Sequence, residues 1–476
     1  MPANAGKTLF ILSAAALLLA SALFLKPAYF ATTSGLSLLI FSEILLAAIA
    51  NYRKAFFPVI VVCFLVAGTD LPFRFALLQA RWVVLAVGAV VGLAIYIKAE
   101  THTFGTFHLV AFFCVLSAFV SALVSAFPEE SLLKALSLLL LFLYVTAGAR
   151  TAVLLRQERF FAMILGGAEI LLWVSVACYL LLRISIFGNP NSLGAIMGVA
   201  VAPVLLWGFL TAHSRAGRLR LGVELILGIL LLLSSFSRAA IAAAAISCLL
   251  ICLSARQYRL LLKGVALSGL LAVCAILFVP QHADAPSGDG SSSMSNVFLY
   301  KGKREQGVFG SRRGIWQQTW DAIRDKPWFG SGFGTSAISG DMTKLQYAEN
   351  HIDTWVEREH GNSYLAIAEW TGLLGVLPFY ALVMLACLNV RSVFSWVRRT
   401  QDVFSPALPA AAIVTAGLID AMFEDWLFAV GYYMCVFFWA MAFILVDLLP
   451  RATVVYSPEL VMPSPGEPYA AVAATR

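Results

Sequence analysis

Apolar runs about as long as a bilayer is thick follow one another along most of this chain, separated by short polar breaks. They fall at about 8–26, 33–51, 55–73, 82–98, 106–127, 132–149, 159–183, 191–212, 221–237, 239–254, 264–280, 372–389, 405–421 and 428–448. Inside lipid every backbone N–H and C=O must be satisfied by the chain itself, so runs of this kind predict membrane-spanning helices. Several are short, and some are expected to merge or to be half-helices. The expected fold is therefore an all-α polytopic membrane protein with about 12 (12–14) transmembrane helices. One interval breaks the pattern. Between Val279 and Trp370 the chain turns polar, which divides it into N-terminal helices (1–280), a large loop (281–371), C-terminal helices (372–450) and a tail (451–476).

Within that loop the pattern changes again. Residues 283–296 (ADAPSGDGSSSMSN) are a low-complexity linker. Residues 312–325 (RRGIWQQTWDAIRD) have a helical period, with Ile315, Trp316, Thr319, Trp320 and Ile323 on one stripe. Such a helix is expected to lie flat at the membrane surface, its tryptophans at headgroup depth. Lys326-Pro327 and the glycines at 330, 332 and 334 end it. Residues 341–371 then run straight into the next apolar segment through Asn362, Ser363, Tyr364 and Leu365.

Composition narrows the function classes. With 61% hydrophobic and 12% charged residues, the chain exposes its apolar surface to lipid. The formal charge of +7 does not mark a nucleic-acid binder, because the basic residues sit in short clusters between apolar runs. Arg53-Lys54, Arg150 with Arg156 and Arg159, Arg215 to Arg220, Arg256 to Lys263, and Arg391 to Arg399 all fall on one side when the helices between them are counted. That side is expected to be the cytoplasm, with both termini. The other side receives the turns at 74–81, 189–191, 238 and 424–425 and the long loop. Arg74, Arg81 and Arg238 run against the charge bias there. All eight cysteines lie in apolar runs, where packing is their expected role, so no disulfide framework or zinc site is expected.

Candidate chemistry collects on the side with the loop. Arg238, in SSFSRAA, stands where one apolar run gives way to the next. A guanidinium there suits phosphate oxygens, or it snorkels from a tight hairpin. Arg312 and Arg313 begin the amphipathic helix, as an anion site or as anchors on anionic headgroups. His360 precedes a spanning helix and is the candidate general base, with His351 its competitor in the loop. Asn191, Asn362, Tyr364, Trp316, Trp320 and Arg81 are candidate substrate contacts. There is no paired-aspartate metal motif, P-loop, HExxH or Gly-x-Ser-x-Gly, and GSGFG at 330–334 follows a helix rather than a strand. No metal or cofactor is expected, and phosphate handling falls to arginine.

The segments SRAA at 237–240, RRGIW…KPWFGSGFG at 312–334 and HGNSYLAIAEWTGLLGVLPF at 360–379, with FGNPNSLGAIMG at 187–198, resemble the O-antigen ligase superfamily, which also holds O-antigen polymerases and pilin O-oligosaccharyltransferases. In that family an arginine follows a serine, matching Arg238. Another lies four residues before a tryptophan, matching Arg312 rather than Arg313. A histidine precedes an asparagine, matching His360, although here Gly361 intervenes. The resemblance implies about 12 helices, a periplasmic site in the bacterial inner membrane, and no metal. It also implies an inverting glycosyl transfer from undecaprenyl-pyrophosphate-linked O-antigen to a sugar hydroxyl of the lipid A–core oligosaccharide. Arg238 and Arg312 would hold the pyrophosphate and His360 would take the acceptor proton. A transporter of lipid-linked sugars is the rival of another class. Charges gathered at one interface and the lack of an internal repeat speak against it.

Overall fold

Every apolar run from residue 33 onward forms a helix. The computed structural model describes residues 32–71, 74–98, 104–154, 157–278, 310–336 and 359–449, with four isolated positions nearer the N-terminus. The run at 8–26, the linker at 283–296, His351, Arg156 and the tail after Leu449 lie outside the described residues. In chain order the helices are α1 (Thr33–Ala50), α2 (Phe57–Ala67), α3 (Arg74–Ile97), α4 (Thr106–Leu123), α5 (Pro128–Leu143), α6 (Gln157–Ser175) and α7 (Pro190–Thr211). They continue as α8 (Arg215–Ser234), α9 (Arg238–Ser254), α10 (Tyr258–Phe278), α11 (Gly310–Asp325), α12 (Ser363–Thr400), α13 (Ala407–Asp420) and α14 (Tyr433–Leu448). No strand occurs among the described residues.

Six helices are long and apolar enough to cross a membrane: Leu77–Ile97, Thr106–Leu123, Pro128–Ala149, Phe160–Leu182, Pro190–Thr211 and Ser363–Thr400. The chain is a multi-pass membrane protein on that ground. The apolar runs are not all alike, however. α13 and α14 are short and bury almost every residue. Other helices surround them, so protein packing rather than lipid thickness sets their length.

Turns gather at two ends of the bundle. At one end the Asp70 N–H donates to Ile186 O (2.8 Å), Asn191 Nδ2 to Glu424 Oε1 (3.3 Å) and Arg81 Nη1 to Gly431 O (2.8 Å). At the other, Trp207 Nε1 donates to Val403 O and Gln401 Nε2 to Ser254 O. α9 runs antiparallel to α13, with Ser247 Oγ donating to Ala412 O and Ser254 paired with Gln401. That register puts Arg238 level with Ala421, at the end that holds Glu424. Arg150, expected as a charge in a basic loop, is instead 1% exposed. It makes a bidentate pair with Asp447 (Nε–Oδ2 2.6 Å, Nη2–Oδ1 2.5 Å) and contacts His108 Nε2 at 3.1 Å. A buried guanidinium demands such a partner, and Asp447 lies too far along the chain for sequence spacing to reveal it.

α12 begins at Ser363, ahead of the expected boundary at 372, and breaks at Gly372 (φ 65°, ψ −177°). A helix break releases N–H and C=O groups, and here four of them find partners in the turn after α11. The Leu373 and Leu374 N–H groups donate to Pro327 O (2.7 Å) and Trp328 O (3.2 Å). Glu369 O and Trp370 O accept from the N–H groups of Ser331 (2.9 Å) and Gly332 (3.1 Å). Ser121 Oγ also donates to Trp370 O, and Ser117 Oγ to Gly375 O, which fixes the break against α4. Irregular backbone in a membrane protein survives where protein satisfies it in this way.

A Cβ at residue 372 would stand 2.5 Å from the Trp328 carbonyl carbon and oxygen, at a φ that favours glycine. Gly372→Ala is therefore expected to destabilise the protein by on the order of 3 kcal/mol or more. Gly264→Ala meets nothing within 4 Å and is expected to leave stability within about 0.5 kcal/mol. Thermal unfolding in detergent measures both, and equal midpoints would refute the strain argument.

Candidate active site

The turn after α11 and the first half of α12 bring the candidate residues together. α11 turns Thr319 (0% exposed) and Ile323 (7%) inward and leaves Trp320 47% exposed. The predicted stripe is thus split. Trp316 is half-buried and its Nε1–H donates to Gly361 O at 3.1 Å, whereas Trp320 stacks under the Arg324 guanidinium at 5.7 Å. Arg312 and Arg313 separate as well. Arg313 is exposed, while Arg312 turns inward and donates to Glu359 Oε1 (2.5 Å) and Glu424 Oε1 (2.6 Å). Gly361, the residue between His360 and Asn362, has a conformational reason in φ +61°. A Cβ there would stand 2.6 Å from Arg312 Nη1.

Asn362 and Tyr364 are committed to the scaffold. The Asn362 carboxamide oxygen caps α12, accepting from the N–H groups of Tyr364 (2.8 Å) and Leu365 (3.1 Å). The Tyr364 hydroxyl donates to Leu418 O at 2.8 Å, tying α12 to α13. Asn191 reaches the site through Glu424, which therefore links the start of α7 to Arg312.

His360 is 1% exposed and held from both sides. Its backbone N–H donates to Asp425 Oδ2 (2.7 Å), and Nδ1 stands 3.4 Å from the same oxygen. Nε2 lies 3.2 Å from Ser336 Oγ and 3.3 Å from Glu369 Oε2, and the Trp370 ring meets the imidazole edge-on at 5.3 Å. Burial alone would lower the imidazole pKa, but the hydrogen bonds and charges of Asp425 and Glu369 outweigh it and raise it above the ordinary value. Burial would likewise raise Asp425, yet the contacts with His360 hold it below the usual carboxylate range. Glu424 goes the other way. Burial pushes it up to about 7, the Arg312 guanidinium pulls it down, and Asp420, Asp425 and Glu359 crowd it with like charge.

His360 and Asp425 also form one wall of a cavity of about 380 Å³, which Arg81, Trp82, Lys134, Phe333, Trp370 and Tyr432 help to line. Arg81 therefore joins the site through this cavity. Arg238 starts α9, half-buried, at the same end of the bundle. No group of three or more His, Cys, Asp or Glu side chains among the described residues could hold a metal ion. The carboxylates on His360 face opposite ring nitrogens and do not converge.

Sequence reading missed Asp425, Glu369, Ser336 and Lys134. A signal existed for Glu369, an acidic residue inside an apolar helix, which is costly unless it has a role. Asp425 lies in the acidic turn assigned to this side. Nothing local marks Ser336 or Lys134.

Residues 223–380 match the family profile described as O-antigen ligase. Over 127 residues, 26% of this chain, the sequence is 29% identical to a general O-oligosaccharyltransferase of Acinetobacter baylyi. That match spans 21% of the relative's length. The family profile covers SRAA, α11 and the segment from His360 to Phe379, which include Arg238, Arg312 and His360, while Asn191, Glu424 and Asp425 lie outside it. Together the two matches support membership in the O-antigen ligase superfamily, carried by residues 223–380.

Proposed function

We propose that this chain is a lipopolysaccharide O-antigen ligase. In this reading it moves a glycan from undecaprenyl pyrophosphate to a sugar hydroxyl of the lipid A–core oligosaccharide, at the periplasmic face of the inner membrane. The observation that carries the reading is the buried His360, held by Asp425 and Glu369 beside Arg312. The acceptor hydroxyl gives its proton to the His360 imidazole as its oxygen forms the new bond to the anomeric carbon. The bond to the pyrophosphate breaks, its electron pair leaving on the phosphate oxygen. Arg312 and Arg238 stabilise that charge. One displacement inverts the anomeric centre.

The Acinetobacter relative, described as a general O-oligosaccharyltransferase, favours a second reading, O-linked oligosaccharide transfer, with a pilin hydroxyl as the acceptor. Purified full-length protein with undecaprenyl-pyrophosphate-linked glycan, excess EDTA and either rough lipopolysaccharide or a Ser/Thr-bearing pilin separates the two. Glycosylated lipopolysaccharide is the expected product. Glycosylated pilin alone supports the second reading, and longer lipid-linked glycan alone makes the chain a polymerase. Movement of lipid-linked sugar across vesicles with no transfer at all would overturn the enzymatic reading.

A further inference from the structure

We propose that α6 and α8 form a seat for a phospholipid whose headgroup carries a primary ammonium, in the leaflet away from His360. The lipid phosphate goes to Arg220 and the ammonium to Glu169 and Glu224.

The two helices run parallel and share a charged cluster. Glu169 of α6 lies inside the apolar span Phe160–Leu182, and its Oε1 accepts from Arg220 Nη2 of α8 at 2.9 Å. One turn further on, the Trp173 Nε1–H donates to Glu224 Oε1 at 3.3 Å. Arg220 Nε stands 3.9 Å from the same Glu224 oxygen. A Cβ on Gly208 would stand 3.6 Å from Leu221 Cδ1, so the cluster is level with the last turn of α7, which ends at Thr211. That is the end of the bundle where Trp207 meets Val403, opposite the end that holds Glu424. The cluster therefore sits at headgroup depth.

Its charges do not balance. One guanidinium serves two carboxylates. Glu224 is 2% exposed, and its Oε2 has no hydrogen-bond partner among the described residues. A buried carboxylate in that condition is costly, and ionisable groups at membrane depth are kept for a ligand or a reaction. The surroundings face lipid. Ile170 and Leu219 are 66% and 71% exposed, and Val174 and Val223 also turn outward. The helices thus present a charged notch bordered by apolar side chains.

The cluster also selects the ligand. The Arg220 side chain is 59% exposed and only loosely set against Glu224, so it can swing onto a lipid phosphate, which fits its planar fork. That movement uncovers Glu224 and takes the cation from both carboxylates. In a medium of low dielectric the loss is large, so the lipid that draws Arg220 out must bring a cation to replace it. The cation needs N–H donors, because Glu224 Oε2 lacks one. A primary ammonium on the same headgroup meets both demands, and the acyl chains continue along Ile170 and Val223. A trimethylammonium has charge without donors, and a glycerol headgroup has no cation.

The test uses the full chain in detergent. Phosphatidylethanolamine, phosphatidylcholine and phosphatidylglycerol with matched acyl chains are added, and bound lipid is counted by mass spectrometry of the intact protein. Wild type is expected to bind phosphatidylethanolamine about 10- to 100-fold more tightly than the other two, the size of hydrogen bonds to a charged group. Glu224→Gln and Glu169→Gln should each reduce that preference about 10-fold. Glutamine still accepts the Trp173 N–H, and Glu169 is partly exposed, so the variants should keep the wild-type thermal midpoint in lipid-free detergent. Should Glu224→Gln unfold, Glu169→Gln alone decides.

Glycerophosphoethanolamine, the headgroup without acyl chains, should bind at least about 10-fold more weakly than the lipid, because it leaves the apolar border uncovered. Equal binding of the three lipids, a preference for phosphatidylglycerol, or a preference that survives the glutamine variants would overturn the proposal. So would a free headgroup that binds as tightly as the lipid, since the notch would then serve a soluble amine. Lipid counting reads the seat whether or not the chain transfers glycan.

Discussion

His360→Ala should lower kcat for glycan transfer by about 10²- to 10⁴-fold, the contribution of a positioned general base. Alanine also strands a buried carboxylate, Glu369, and a half-buried one, Asp425, so lost activity alone would not prove a chemical role. The pH profile supplies the discriminating reading. The base must be neutral to accept a proton. Its pKa is raised by Asp425 and Glu369 against the opposing effect of burial, so kcat/KM should climb with pH through a value above the ordinary imidazole value of about 6.5. Asp425→Asn removes one of the groups that stabilise imidazolium. Its acid limb should shift to lower pH while the protein stays folded by thermal unfolding. A limb that stays in place in Asp425→Asn would rule His360 out as the titrating base.

Arg312→Ala should reduce kcat/KM by about 10²- to 10³-fold, the loss seen when a preorganised stabiliser of developing charge is removed. Lysine at this position should restore only part, because an ammonium lacks the forked fit of guanidinium to phosphate. The ion pair with Glu424 makes a second result of opposite sign. Glu424 titrates at about 7. Above that pH it is ionised and competes with phosphate for Arg312; below it, the protonated acid lets go. In wild type the donor KM should therefore rise between pH 6 and pH 8, about one unit either side of that value. Glu424→Gln should lower the donor KM at pH 8 and flatten the dependence. If Glu424→Gln weakens donor binding as Arg312→Ala does, the carboxylate holds the arginine in place and does not compete with substrate.

These expectations differ in how far the sequence alone supports them. The helices were legible because lipid imposes a run length that composition displays directly. α11 was legible from the spacing of Trp316, Thr319 and Ile323, and Arg81 stood out as a cation on the side where cations are scarce. Residues recruited across the chain were not legible. Asp425 meets His360 over a sequence separation of 65, and Lys134 meets Gly334 over 200. No periodicity encodes such pairs. Asn362 attracted a ligand role through its place after His360, yet helix capping uses the same side chain with its oxygen turned to the backbone. The break at Gly372 was hidden because an apolar run reads alike whether or not the backbone inside it is continuous.

That break also orders the making of the protein. The turn at 327–332 leaves the ribosome before the segment at 369–374 that completes its hydrogen bonds. Until α12 has entered the membrane, the backbone beside His360 has no template, and Ser336 and Glu369 have no fixed relation to the imidazole. The candidate site is thus a late product of membrane insertion, closed only when a later helix locks an earlier loop. Because Glu424 and Asp425 hold Arg312 and His360, no fragment ending before residue 425 can carry it.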